Sequence, residues 1–187
     1  MAAEGPPRAV PPRDCPLCPR LVAYREENRR RHPGWYNAPV PSFGDPAAAL
    51  LIVGLAPGVA GANRTGRPFT GDYAGEILYP ALLRHGFARG RYEARPDDGL
   101  ELVDCRITNA VRCVPPKNRP TGEEITTCRR YLLDELRMPP RPRLVLSLGR
   151  IAHDSVRKRW SCCPAWKKCW PSSARNWSWP NPSRRSA

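Results

Sequence analysis

Three short runs of apolar and β-branched residues interrupt an otherwise polar chain: ALLIVGLA (49–56), DCRITNAV (104–111) and RLVLSLG (143–149). Each has the length of a buried strand and gives way to glycine, proline or a polar loop. Helical periods lie between them. In TGEEITTCRRYLLDEL (121–136), Ile125, Cys128, Leu132 and Leu136 fall on one face, so Cys128 points to the interior. Thr121 and Glu124 have the spacing of a capping box, and Pro139 with Pro140 should stop this helix. EILYPALLRHG (76–86) and GRIAHDSVRKRW (149–160) read as further helices. Strands alternating with helices predict an α/β domain around a parallel sheet. Ligands of such sheets bind beyond the carboxyl ends of the strands, which directs attention to the loops starting at Gly54, Asn109 and Gly149.

The pattern fails at both ends. Residues 1–13 are rich in Pro, Ala and Arg and are expected to be disordered. Residues 14–156 carry the strand and helix signals, and a chain of 187 residues fits one domain with a real core. Residues 157–187 form a basic, Trp- and Cys-rich tail with no period, expected not to fold. No acidic residue follows Asp154, and Cys162, Cys163 and Cys169 lie in that tail.

Charge changes the picture less than its size suggests. The formal net charge is +14, from 31 Lys and Arg against 17 Asp and Glu, which points to a polyanionic partner such as nucleic acid. More than half of that surplus sits in the tail, so charge alone leaves nucleic-acid binding and simple solubility open. The N-terminus lacks a basic segment followed by an apolar one, and AAALLIVGLAPGVAGA is interrupted by Pro57 and glycines. No signal peptide and no membrane span are expected, and a cytoplasmic monomer follows.

In that compartment eight cysteines favour metal over disulfides. Cys15 and Cys18 form C-x2-C; Cys113 and Cys128 form C-x14-C. Four converging thiolates suit zinc or an iron–sulfur cluster, and spacing does not choose between them. The alternative is that Cys113 and Cys128 are small buried hydrophobes, as Cys105 in its strand should be.

The loops carry the candidate chemistry. In GLAPG (54–58), Gly54, Ala56, Pro57 and Gly58 allow the backbone to approach a ligand closely. In NAVRCVPPKNRPT (109–121), the Asn109 carboxamide can read an amide-like ring edge. Arg112, Lys117 and Arg119 there form either a stiff phosphate-binding rim or a solvated loop. In RTGRPFTGDYAG (64–75), Phe69 offers a face for stacking on a base, and Arg64 and Arg67 suit phosphate oxygens. Asp72 is either the N-cap of the helix that follows or a group that orients water and stabilises positive charge.

Together, GLAPG, GANRTGRPFTGDYAG, TNAVRCVPPKNRPT and the cysteine framework resemble the family 5 uracil-DNA glycosylases, from about Cys15 to about Asp154. The resemblance implies a three-layer α/β/α fold around a four-stranded parallel sheet. It implies a 4Fe-4S iron–sulfur cluster on Cys15, Cys18, Cys113 and Cys128. It implies excision of uracil, and of other deaminated bases, from DNA. In that chemistry Phe69 stacks on the extruded base, Asn109 reads its edge and stabilises the leaving anion, and Asp72 acts on the cationic transition state. It also implies a His-x-Ser-x-x-Asn motif after the fourth strand. That motif is absent: His153, the last histidine, lies in a helical pattern, and the tail stands where strand and motif belong. A shifted reading frame near residue 156 explains the tail; a divergent DNA-binding tail is the other explanation. The competing functions are a catalytically impaired remnant, a non-enzymatic nucleic-acid-binding module with a metal held by four cysteines, and an electron-transfer iron–sulfur protein, which would leave Phe69 and Asn109 without purpose.

Overall fold

The computed structural model describes residues 10–137 and 142–160. The expectations for residues 161–187 of the tail, for Pro139 and Pro140, and for residues 1–9 lie outside the described residues. In chain order the elements are α1 (Pro19–Arg31), β1 (Phe43–Gly44), β2 (Leu50–Gly54), α2 (Ala62–Thr65), α3 (Tyr73–Arg84), β3 (Ala88–Arg89), β4 (Glu101–Leu102), β5 (Cys105–Asn109), a 3-10 turn (Pro116–Asn118), α4 (Gly122–Arg137), β6 (Leu144–Ser147) and α5 (Arg150–Trp160).

The three apolar runs become β2, β5 and β6, and these pair in parallel with β2 at the centre. The sheet is mixed rather than purely parallel, because two residues of β1 add antiparallel to the free edge of β5. No strand pairs with the outer edge of β6 among the described residues. Along β2 and β5 side chains alternate between two cores. Leu50, Ile52, Cys105 and Ile107 pack against Tyr79 and Leu82 of α3 and against the β3–β4 hairpin. Leu51 and Val53 pack with Leu132 and Leu136 of α4 and with Ala152 and Val156 of α5. The result is the expected three-layer arrangement. Cys105 is fully buried in the first core, as its strand position required. Helix α5 matches the helix expected over 149–160, and so carries regular structure four residues past the domain boundary expected at 156.

A third cluster attaches α1 to this body: Leu21 packs on Val111, Cys128 and Tyr131. The capping box forms as the spacing predicts, with Thr121 N–H donating to Glu124 Oε2 at 2.8 Å and Glu124 N–H to Thr121 Oγ1 at 3.3 Å. The same Glu124 accepts two hydrogen bonds from Arg20 of α1, both at 2.8 Å. One carboxylate therefore caps α4 and docks α1 against it.

Glu135 on the inner face of α4 is 1 % exposed and accepts from Arg106 of β5 at 2.7 and 3.1 Å, from Arg112 at 3.1 Å, and from the Ser42 hydroxyl. Burial alone would raise its pKa, but the Arg106 hydrogen bonds and the Arg112 charge outweigh that and hold it below the usual carboxylate range. A depressed carboxyl contributes stability above its unfolded pKa and loses it as pH falls through the folded value. The Glu135→Gln variant is expected to lose about 3–5 kcal/mol, because two buried guanidiniums lose their counter-charge. Urea unfolding at pH 7 measures this, and the difference from the parent should shrink as pH is lowered through the acid range.

Candidate functional site

Strand β2 feeds α3 on one face of the sheet, and β5 feeds α4 on the other. Between two adjacent parallel strands whose connections part in this way, a crevice opens at the carboxyl ends. Gly54 and Asn109 are the paired last residues of those strands. Above them lies a cavity of about 620 Å³ lined by Ala56, Gly58, Phe69, Asp72 and Asn109. Its outer wall is apolar, made of Tyr73, Ile77 and Leu78 of α3 with Leu148 after β6.

Each polar or aromatic group is held by a definable local cause. Gly54, expected in the site, is buried beneath the lining rather than part of it: a β-carbon there would collide with Asn109 Oδ1 and fall 2.5 Å from Phe69 Cζ, so both side chains rest on bare backbone. Pro57 is buried beneath the lining rather than part of it. Asn109 is 3 % exposed, and its Oδ1 has no hydrogen-bond partner among the described residues. The N-cap alternative for Asp72 is seen directly, and it uses one carboxylate oxygen. Its Oδ1 caps α3 by accepting from Gly75 N–H at 3.0 Å. Its Oδ2 faces the β2–α2 loop, where a β-carbon on Gly61 would come within 2.5 Å and one on Gly58 within 3.5 Å.

The five expected phosphate-binding cations divide into two groups. Arg64, Lys117 and Arg119 are exposed. Arg67 and Arg112 are not on the rim. Arg67 is buried against Asp98 in a two-point pair at 2.7 Å, and Arg112 is buried against Glu135. A guanidinium with its carboxylate in the interior is withheld from phosphates. Asn118 was missed by sequence reasoning and lines the cavity mouth. It and Lys117 both have positive φ, 55° and 53°, which turns the chain at the rim. The available signal was the KNRP turn.

The four expected metal ligands come together. Cys15, Cys18, Cys113 and Cys128 line one cavity between α1, the loop after β5 and α4, with Leu21, Arg25 and Tyr131 completing its wall. No three His, Cys, Asp or Glu side chains among the described residues converge closely enough to share one ion. A cubane cluster takes one thiolate per iron, so it needs sulfurs spread around a void rather than gathered on a point. The donor set fits that group. Burial and the neighbouring Cys128 push the Cys113 thiol up to about 12, and burial with the same neighbour pushes Cys18 up to about 11. Such thiols ionise together only around a cation. The Arg112 backbone N–H already donates to Cys128 Sγ at 3.2 Å.

Residues 41–187 match the family model described as the uracil DNA glycosylase superfamily. The chain belongs to the uracil-DNA glycosylase superfamily. It is 51 % identical over 148 residues to the type-5 uracil-DNA glycosylase of Thermus thermophilus, covering 76 % of this chain and 67 % of that one. It is 46 % identical to the type-5 enzyme of Pyrobaculum aerophilum, covering 78 % and 66 %, and 38 % identical to the type-4 enzyme of the same organism, covering 75 % and 58 %. The chain thus spans about two thirds of the length of the type-5 relatives named here. Among the described residues no helix is long and apolar enough to cross a membrane.

The placement of Asn109 and Phe69 in the cavity depends on the bare backbone at Gly54. Gly54→Ala is expected to destabilise the protein by about 1–3 kcal/mol through overpacking. Gly122→Ala, where a β-carbon meets nothing within 4 Å, should be neutral or slightly stabilising. Thermal denaturation of the two variants side by side checks the contrast.

Proposed function

We propose that this protein hydrolyses the N-glycosidic bond of uracil in DNA, leaving an abasic site. The observation that carries this is the meeting of Phe69, Asp72 and Asn109 in one cavity at the sheet's switch point. The names of the type-5 relatives support the same activity.

The target nucleotide must first leave the duplex, at a cost of a few kcal/mol. Stacking on Phe69 offsets this by about 1–3 kcal/mol. The lone Asn109 Oδ1 is a buried acceptor awaiting a donor, and uracil brings one in its ring N–H between two carbonyls. As the bond breaks, negative charge gathers on the base and positive charge on the sugar. The Asn109 amide N–H groups would stabilise the first, and Asp72 Oδ2 would stabilise the second or orient the attacking water. Because Asp72 Oδ1 is committed to Gly75, the carboxylate does not have to be oriented at the moment of reaction. Arg64, Lys117 and Arg119 would meet phosphates around the mouth, with Asn118 at its edge. All these groups come from one chain, so a monomer suffices.

Cys15, Cys18, Cys113 and Cys128 would hold a 4Fe-4S cluster. When bound, that cluster supplies a covalent cross-link between the start of α1, the loop bearing Lys117 and Arg119, and α4. Protein isolated without oxygen is expected to be brown, with iron and sulfide in equal amounts. Cys113→Ser should lose the colour, whereas a zinc protein would be colourless.

A second reading has one observation in its favour. No histidine lines the cavity among the described residues, and His153 sits on α5, the helix that packs on the opposite core. Missing one charge-stabilising donor commonly costs about 10²–10³ in rate, so the enzyme would be slow. The test is therefore run with excess protein, on a labelled duplex carrying one U opposite G, with alkali to cut at abasic sites. Asn caps a helix about as well as Asp, so Asp72→Asn should hold stability within about 0.5 kcal/mol. The same variant should reduce excision by about 10² or more. Full excision by this variant would make Asp72 a cap and nothing else; no excision by the brown parent protein would mark a disabled remnant.

A further inference from the structure

Resting on Phe69 as the base-stacking ring, we infer that Asp98 is the positioning residue that sets that ring, acting through Arg67. Asp98 lies in the connection between β3 and β4 and does not line the cavity. Its side chain has no exposed surface, and that of Arg67 is 5 % exposed. Asp98 accepts both Arg67 Nη groups at 2.7 Å, and also Glu93 N–H at 2.9 Å and Leu100 N–H at 3.1 Å. The guanidinium so fixed donates through Nε to Thr70 Oγ1 at 2.8 Å. It also sits over the rings of Phe43, Tyr79 and Tyr92, at 5.2, 5.3 and 5.9 Å from their centroids.

Two of those rings grip the backbone on either side of Phe69. Tyr79 Oη donates to Pro68 O at 2.6 Å and Tyr92 Oη to Phe69 O at 3.4 Å, while Gly71 N–H reaches Tyr92 Oη at 3.5 Å. The grip is needed because Phe69 has φ 53°, a left-handed conformation unfavourable for a residue with a β-carbon. Nothing in the ring's own contact with Gly54 would maintain it. Take away the Asp98 charge, and Arg67 is a buried cation without a counter-ion. It then moves toward water, the aromatic cage loosens, and Phe69 relaxes to negative φ with its ring lifted off Gly54. This explains why an arginine beside the stacking residue faces inward when its neighbours on the rim face out.

The test is a double-mutant cycle in single-turnover excision, using Asp98→Asn and Phe69→Ala in the full chain. Asp98→Asn alone should slow excision about 10-fold or more, yet change it by less than about 2-fold when Phe69 is already alanine, because the two act as a unit. Equal losses in both backgrounds would overturn the inference and leave Asp98 a plain stability residue. An arm independent of activity uses fluorophenylalanine. The chain has three phenylalanines, so the fluorine resonance of Phe69 is the one that vanishes in Phe69→Ala. Asp98→Asn should shift or broaden that line and leave that of Phe87 in place; an unmoved Phe69 line would also overturn it. If the parent excises no uracil, this arm still decides. If Asp98→Asn fails to fold, Tyr92→Phe removes the hydroxyl between Gly71 and Phe69 without touching charge. It should give a smaller shift of the same line, and no shift would count against the inference.

Discussion

One buried carboxylate, Glu135, joins the parts on which both cavities depend. It lies on α4 and holds Arg106 in β5 and Arg112 three residues past the end of that strand. Between those arginines stands Asn109, which lines the candidate cavity; immediately after Arg112 stands Cys113, and the Arg112 N–H donates to Cys128. The segment from 106 to 113 is thus fixed at both ends by the same carboxylate. Its two sides serve the two cavities. Burial lowers the pKa of Arg112, and the Glu135 charge only partly restores it. Such a group adds little net stability compared with apolar packing, but it specifies geometry, because any displacement leaves an unpaired charge.

What the sequence made legible follows from the length of the signal each feature carries. β2, β5 and β6 were visible because each is a run of apolar and β-branched side chains. The cap and face of α4 were visible because Thr121, Glu124 and the Ile125–Leu136 stripe have fixed spacings. β1, β3 and β4 were not visible: each contributes two residues, too few for any period, and their pairing comes from tertiary contact. The site residues in the strand-end loops were legible because chemistry and topology agree there, with Asn109 and Gly54 at register-paired strand ends. The direction of a charge was not legible. Arg67 and Arg112 look like rim cations in the sequence because their partners, Asp98 and Glu135, are 31 and 23 residues away. Local composition reports that a guanidinium is present, and only the fold decides which carboxylate it meets.

The same division explains how a small loop can be both closely fitted and rigid. RTGRPFTGDYAG contains three glycines, which ordinarily loosen a chain. Here they are sites of close approach: a β-carbon on Gly75 would run into the Phe69 carbonyl, and one on Gly71 would come within 2.6 Å of Arg64. The rigidity comes instead from groups that look functional in isolation. Arg67 is consumed by Asp98, and one oxygen of Asp72 by the first turn of α3. What remains free after those commitments is small and specific: one aromatic face, one carboxylate oxygen and one carboxamide, all on the same cavity. In the proposed reaction such a pocket would gain from this arrangement, because its own groups are ordered before a base arrives and the ordering entropy has already been met in folding.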